Sequence, residues 1–301
     1  MRSCINLARE NMSSARGQAT IVCRVLFLAG ACLLSHDSLA AQEVSWTTLV
    51  EGLAVTVWEP GTRCKEASPL LLVKVDPERF RFSTYHFLDE GLSAPVTIQE
   101  WQLLTNASLL FNAGLFREDY SYLGLLFKEG RPLGTKRHPR WQGLFVAEPV
   151  NPGVRKAHVL DLAFERFRED QPPYREAAQS LMLLDRTGKP RVRQTGKRAH
   201  QTVVAEDEEG HILLIKTSDI VTLRGLADCL RVGFPSIRQA MAMDGGSSSD
   251  LLIGTELLKP LRNGPEPFQW YSLLDGSGTG HITLPAVIGI QPRTGNRHPS
   301  P

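Results

Sequence analysis

The feature that most constrains the fold is a succession of short apolar runs, rich in β-branched or aromatic residues and separated by turn signals. Typical breaks between them are Lys128-Glu-Gly130 and Glu208-Glu-Gly210. Runs of this length and composition predict strands. The predicted strands lie at 53–58, 70–75, 80–85, 108–111, 123–127, 143–147, 202–205, 211–216, 239–243, 251–253 and 286–290.

Helix signals are fewer. Thr97, followed three residues later by Glu100, predicts a helix that begins with a capping box. Thr222 predicts the N-cap of a second helix, with a stop at Gly233. Strands dominate and no alternation of strands and helices is visible, so the sequence predicts an α+β protein with a mixed β-sheet core. We expect a single domain over residues 45–292 and a polar tail over 293–301.

Residues 1–40 have the pattern of a signal peptide. A basic opening precedes the ten apolar residues 25–34, and Ser38 and Ala40 provide small side chains before a cleavage site after Ala40. An uncleaved anchor and a lipoprotein attached at Cys32 are the alternatives. No later segment approaches the length of a membrane span. We therefore expect a protein exported to the periplasm or secreted, with no integral membrane segment after cleavage.

The charge balance excludes one class of partner. The chain has 34 Lys and Arg against 32 Asp and Glu, and residues 1–40 contain four of the basic and two of the acidic side chains. The remaining residues therefore carry 30 of each. A body without net charge has no bulk field to attract nucleic acid, so any anion has to be held by a local site.

The same cleavage would leave two of the five cysteines, Cys64 and Cys229. In an oxidising compartment they can form one disulfide, or they can remain two buried thiols. No spacing of Cys and His typical of a metal site remains. No cofactor is evident, and the sequence gives no indication of a divalent cation, although one would be compatible with it.

The densest polar motif follows the predicted strand at 239–243. It consists of Asp244, Gly245, Gly246 and the three hydroxyls from Ser247 onward, and another apolar strand comes next. Glycines let backbone N–H groups turn toward a ligand, and an aspartate at a strand end can transfer a proton or accept a hydrogen bond from a sugar. A plain hairpin turn that begins with Asp-Gly is the alternative.

Two further motifs are candidates for binding. Asn112 and Gly114 follow the predicted strand at 108–111, where an Asn amide can donate and accept hydrogen bonds. Arg198 lies in a basic cluster with Lys197 and His200, and a guanidinium there could bind a phosphate through two hydrogen bonds. A structural turn is the alternative for Asn112 and Gly114, and a solvated strand edge is the alternative for the basic cluster.

Taken in order, these motifs resemble the phosphodiester glycosidase family. The turn from Asn112 through Gly114 to Phe116, the basic region around Arg198, the helix at 222–233 and the loop from Asp244 to Ser248 match its pattern. The sequence departs from that pattern at Ser247, where the family has a third glycine. The resemblance covers most of residues 45–292.

The resemblance implies an exported hydrolase that cleaves the glycosidic bond of a sugar-1-phosphodiester, in cell-envelope or exopolysaccharide metabolism. It implies catalytic roles for Asp244, Arg198 and Asn112. Contacts to the substrate are implied for Gly114, Gly245, Gly246, Ser247 and Ser248. Two rival hypotheses remain: a non-catalytic module that binds an envelope polysaccharide through the same loop, and a serine hydrolase that uses Ser247 or Ser248.

Overall fold

The computed structural model describes residues 44–61, 64, 69–262, 270–275 and 280–293. Both the predicted signal peptide and the tail from residue 294 lie outside these ranges, and so the boundaries of the predicted domain remain predictions. All the described residues belong to one compact unit, Ala40–Pro301. None of the helices in these ranges is both long and apolar enough to cross a membrane.

Strands dominate the described residues, as the sequence predicts. In chain order they are β1 Thr47–Val50, β2 Leu53–Trp58, β3 Leu70–Val75, β4 Phe80–His86, β5 Leu109–Asn112, β6 Leu126–Lys128, β7 Arg131–Pro132, β8 Gly143–Pro149, β9 Ala157–Asp161, β10 Tyr174–Leu184, β11 Arg198–Ala199, β12 Thr202–Asp207, β13 Ile212–Thr217, β14 Val221–Thr222, β15 Ile237–Ala242, β16 Leu251–Ile253 and β17 Ala286–Pro292. The helices are α1 Ile98–Thr105, α2 Leu223–Gly233, α3 Lys259–Arg262 and α4 Tyr271–Leu274.

The strands form two stacked sheets. The larger sheet has eleven strands and runs β1-β2-β3-β13-β12-β15-β10-β6-β7, with β8 and β9 attached through β10. The smaller sheet has the order β16-β5-β17-β4, and β11 pairs separately with β14. Every pairing between described strands is antiparallel. The prediction of a mixed sheet is therefore wrong, because the chain returns through hairpins and crossovers that reverse each neighbouring strand.

The main core lies between the two sheets. Val73 on β3 and Met241 on β15 pack there against Phe82 on β4 and Phe111 on β5. Helix α2 covers the outer face of the larger sheet, where Leu226 contacts a second cluster. On the outer face of the smaller sheet, α1 buries Ile98 and Trp101. Both faces of these central strands are therefore buried, which explains why the apolar runs 70–73 in β3, 203–205 in β12 and 212–215 in β13 do not alternate with polar residues.

Both predicted helices begin at the predicted caps. Thr97 and Glu100 form a complete capping box, and the Thr222 hydroxyl accepts from the Gly225 N–H at 2.9 Å. Helix α2 also ends at the predicted glycine, Gly233. The structure shows in addition why this residue has no side chain. A Cβ at Gly233 would lie 2.2 Å from the Trp58 ring, so this glycine permits close packing between α2 and β2.

Cys64 and Cys229 form a disulfide, the alternative that the sequence left open. It links the β2–β3 connection to helix α2, and both cysteines are buried beside Trp58 and Phe234.

Candidate active site

A cavity of about 680 Å³ lies where β15 leaves the larger sheet and the chain enters the Asp244 loop. Its wall contains both apolar and charged residues. The apolar residues are Leu115, Trp141, Leu181, Met182, Val192, Leu223 and Met243. The charged residues are Arg140, Arg191, Arg193, Lys197 and Asp244. Among the described residues, Asp244 is the single carboxylate that lines the cavity.

Asp244 is partly buried at the end of this strand. Its Oδ1 accepts a hydrogen bond from the Gly245 N–H at 3.0 Å, and the Ser248 hydroxyl donates a second. Burial raises the pKa of the Asp244 carboxyl above its ordinary value, although these two hydrogen bonds and the charge of Lys197 act in the opposite direction. Carboxylates with a raised pKa in a cavity are candidates for catalysis.

The glycines of the loop allow it to pack tightly. Gly246 has φ +72°, a conformation that side chains rarely adopt, and its N–H donates to the His200 carbonyl at 2.8 Å. A Cβ at Gly245 would lie 2.9 Å from the same carbonyl oxygen and 2.8 Å from Gln201 Oε1. These contacts hold the loop against the segment before β12, so that Asp244 occupies a fixed position.

Asn112 supports the loop from below. Its side chain is buried, and Nδ2 donates to the Asp244 carbonyl at 2.8 Å and to the Ala113 carbonyl at 3.1 Å. Its Oδ1 accepts from the Asp250 N–H at 3.0 Å. Both amide hydrogens are therefore used within the protein. Asn112 joins the smaller sheet to the loop of the larger sheet, and this places it as a positioning residue.

A buried group of charges lies behind the loop. Lys216 Nζ donates to the Ser249 carbonyl at 2.9 Å and lies 3.6 Å from the Asp250 carboxylate. The other oxygen of Asp250 contacts His281 Nδ1 at 2.5 Å. Burial lowers the pKa of Lys216, whereas the Asp250 charge raises it. This group fixes the end of the loop opposite Asp244.

Arg198 does not line the cavity. Its guanidinium donates to the Ile220 carbonyl at 2.8 Å, and its neighbours Lys197 and Ala199 line the cavity instead. The cation expected from the sequence is thus present in this segment, but one residue away.

The other predicted contacts divide into two groups. Gly245 and Gly246 line the cavity. Gly114 does not: its N–H donates to the Tyr122 hydroxyl at 3.0 Å, and a Cβ there would lie 2.6 Å from the Gln179 carbonyl oxygen. Ser247 is exposed and Ser248 is buried against Asp244. In the described part of the chain neither serine is bonded to a histidine, which leaves the serine hydrolase hypothesis without a base.

The cavity has no cluster of metal ligands among the residues that the structure describes. Asp207, Glu209 and His211 could share an ion, since their ligand atoms lie within 4.8 Å of one another. They form the β12–β13 hairpin, at the opposite end of β12 from the Asp244 loop. His211 is already hydrogen-bonded to Asp207 there.

None of the sequence motifs includes Arg140 or Trp141, and neither Arg193 nor Lys197 was predicted as a site residue. One signal could have revealed the cations. Between Asp185 and Glu206 the chain contains six basic residues and no acidic one, although the body as a whole is neutral. Of the exposed cations in the cavity wall, Arg140, Arg193 and Lys197 form no ion pair with a described carboxylate, whereas Arg191 is paired with Asp161 at 2.9 Å.

A cavity with one carboxylate and an excess of cations is typical of a site for an anionic substrate. The family model described as phosphodiester glycosidase matches residues 105–271, which is more than half of the chain and includes both Asn112 and Asp244. The chain therefore belongs to the phosphodiester glycosidase family.

Solved structures support the fold. The catalytic domain of zebrafish N-acetylglucosamine-1-phosphodiester alpha-N-acetylglucosaminidase, auto-inhibited by its pro-peptide, aligns with TM-score 0.56 and 13% identity over 83% of this chain and 88% of that one. A hypothetical protein from Synechocystis aligns with TM-score 0.52 and 14% identity over 84% of this chain and 64% of that one. No curated protein matches by sequence.

Proposed function

We propose that this protein hydrolyses the glycosidic C–O bond of a sugar-1-phosphodiester. The observation that carries the proposal is the juxtaposition, in a member of this family, of Asp244 with three cations around one cavity, none of which forms an ion pair with a carboxylate in the described part of the chain. The cations provide a local site for the phosphate that the neutral body cannot attract from a distance. The carboxylate provides a group that can act on the anomeric carbon.

The presence of a single carboxylate fits this reaction. Water adds its oxygen to the anomeric carbon, the bond from that carbon to the bridging phosphate oxygen breaks, and the bonding electrons stay on the phosphate. The products are a free sugar and a phosphomonoester, whose second pKa is about 6. Because such a group leaves as an anion, the reaction needs no second carboxylic acid to protonate it.

In this mechanism Asp244 faces the anomeric carbon as a carboxylate. It acts either as the nucleophile, with retention of configuration, or as the base that activates water, with inversion. In both cases it stabilises the positive charge that develops on the sugar in the transition state. NMR detection of the first anomer released distinguishes the two.

The remaining residues bind and position. Arg193 and Lys197, with Arg140, hold the phosphate and stabilise the charge that it gains as the bond breaks. The backbone of Gly245 and Gly246 closes one side of the site, and Asn112 holds the loop from behind.

The cellular setting is part of the proposal. The pattern of residues 1–40 supports export, and a sugar-1-phosphodiester of the cell envelope or of an exopolysaccharide is then the accessible substrate. Intact-mass measurement of protein from the exported fraction should show a chain that starts at Ala41. A chain that retains residues 25–34 would contradict cleavage.

The direct test is hydrolysis in water labelled with ¹⁸O. The substrates are methyl phosphodiesters of glucose, galactose, mannose and N-acetylglucosamine, each linked through the α-anomeric oxygen. Release of free sugar that carries the label, with unlabelled methyl phosphate, is expected. Label in the phosphate would show P–O cleavage and a phosphodiesterase instead. Binding of a substrate without turnover would favour the polysaccharide-binding module.

A further inference from the structure

One wall of the cavity is an indole ring with only one open face. Trp141 lines the cavity, and the imidazole of His138 stacks on one face of its indole, with ring centroids 3.9 Å apart and an angle of 25° between the planes. An indole stacked in this way has lost the freedom to rotate into the cavity or away from it. The face that remains is flat, apolar and preformed.

The backbone beneath the stack is equally fixed. The buried side chain of Gln179 on β10 donates to the carbonyls of His138 at 2.9 Å and Trp141 at 2.6 Å. Its oxygen accepts from the N–H groups of His138 at 2.9 Å and Leu125 at 3.0 Å. Immediately after this segment, Gly143 starts β8, and a Cβ there would lie 2.8 Å from Met241. The Gln179 side chain thus makes four hydrogen bonds, and three of them hold the loop 138–141.

We propose that Trp141 is the stacking platform for the pyranose ring of the substrate and thereby determines which sugars are accepted. This inference rests on the proposed function. A pyranose ring has an apolar face of C–H groups and an edge of hydroxyls, and an indole offers a matching flat apolar surface. The cavity offers both kinds of surface, because Trp141 and other apolar side chains line it together with Asp244 and the cations.

The sequence places a cation directly beside the indole. Arg140 and Trp141 are adjacent and both line the cavity, so one rigid loop presents a cation for the phosphate and a ring for the sugar. A sugar-1-phosphate has these two groups directly bonded. The loop that Gln179 holds would therefore recognise the two halves of the substrate on either side of the bond that breaks.

The test compares Trp141→Ala and Trp141→Phe with the wild type on two substrates that share the sugar and differ in the aglycone, a methyl and a benzyl phosphodiester. The sugar is the one of the four tested above that turns over best. Aromatic stacking on a ring changes affinity by on the order of tenfold. We expect Trp141→Ala to raise KM by about that factor equally for both substrates, and Trp141→Phe to restore most of the affinity. Trp46→Ala, which removes a partly exposed indole outside the cavity, is the matched control and should leave KM unchanged.

A wild-type KM in Trp141→Ala would overturn the proposal, and so would a loss confined to the benzyl substrate, since the indole would then stack on the aglycone. A thermal melt of each variant identifies misfolding. If Trp141→Ala misfolds, Trp141→Phe and the titration described next test the proposal. The second readout is tryptophan fluorescence during titration with the four sugar-1-phosphates. A change in emission that Trp141→Phe abolishes supports the platform, even if no phosphodiester is hydrolysed and the proposed function fails. No change with any of the four overturns it.

Discussion

Two acidic side chains near opposite ends of β15, Glu206 and Asp244, differ in the partners that the protein provides for their charge. Glu206 on β12 pairs in register with Gln239, near the start of β15, and is fully buried. Asp244 follows the other end of β15 and lines the cavity. Glu206 has left bulk water completely and Asp244 in part, which is unfavourable for a charge unless the protein compensates it.

At Glu206 the compensation is extensive. One oxygen contacts the guanidinium of Arg155, with Arg238 at 3.8 Å, and the other contacts His158 Nδ1 and the Val159 N–H. Burial would lower the pKa of His158, but its hydrogen bonds to Glu165 and Glu206 raise it above the ordinary value. A carboxylate with this many partners has no capacity left for a substrate, and its role is structural.

At Asp244 the compensation is incomplete. The group accepts from Gly245 and Ser248, and Lys197 is its one charged neighbour among the described residues, so that burial still raises the pKa of Asp244. The two sites therefore differ in the number of surrounding cations and in access to the cavity: Glu206 is fully buried among cations, whereas Asp244, which we propose as the catalytic carboxylate, lines the cavity.

The substitution with the largest expected effect is Asp244→Asn, which tests whether Asp244 is the catalytic carboxylate. It keeps the size and the acceptor of the side chain but removes the charge, so we expect kcat to fall by on the order of 10²-fold or more. The folded protein should not lose stability. Because the pKa of Asp244 is raised by folding, ionisation of this group destabilises the folded state at pH values above that pKa. The substitution removes the charge and with it this destabilisation. Steady-state kinetics and a thermal melt of the same variant test both statements. Full activity with a lowered melting temperature would show that Asp244 is a turn residue.

Glu206→Gln should give the opposite pattern. It leaves Arg155, Arg238 and His158 without their shared partner, and breaking a buried ion pair from one side costs about 3 kcal/mol or more. We expect a value near 3 kcal/mol, because Arg155 and Arg238 are 43% and 41% exposed and water compensates part of the loss. Denaturant unfolding gives the free energy, and kcat per folded molecule should equal that of the wild type. Unchanged stability, or a selective loss of kcat, would contradict the structural role.

Local signals in the sequence predicted the parts of the fold that depend on neighbouring residues. The caps at Thr97 and Thr222 and the loop that follows β15 are of this kind, because cap side chains and glycines act within three or four residues of their own position. The direction of the strands could not be predicted in the same way. β3 pairs with β13, about 140 residues later, and no local pattern states whether such a pairing is parallel or antiparallel.

The candidate site was predicted in part for the same reason. Asp244 and its glycines form a contiguous motif, whereas the cations come from two separate segments that fold onto it. Choosing Arg198 over Lys197 required the orientation of the two-residue strand β11, which is set by its pairing with β14. Trp141 lies in a loop with no periodicity, and its position depends on Gln179 from another strand.

The cations allow a second comparison within one segment, because Arg193 lines the cavity and Arg198 does not. We expect Arg193→Ala to raise KM for a sugar-1-phosphodiester by roughly tenfold, the value of one hydrogen bond to a charged group. Arg198→Ala is the matched control and should leave KM unchanged, because its guanidinium is bonded to the Ile220 carbonyl outside the cavity. Initial rates over a range of substrate concentrations measure both. An effect of Arg198→Ala alone would reverse the assignment of the two arginines.

The smallest expected effect tests the electrostatic link between Asp244 and its single cationic neighbour. If the carboxylate is the active form, kcat/KM falls as the pH drops through the pKa of Asp244, which burial has raised. Lys197 lowers that pKa by its charge, so Lys197→Met should raise it further and move the acid limb of the profile to higher pH. Lys197→Arg keeps the charge and should leave the limb near its wild-type position. The measurement is the pH profile of kcat/KM for the three proteins, which reports the free enzyme. An acid limb that stays in place, or moves to lower pH, in Lys197→Met would mean that another group controls the reaction, and that Asp244 differs from Glu206 in position only.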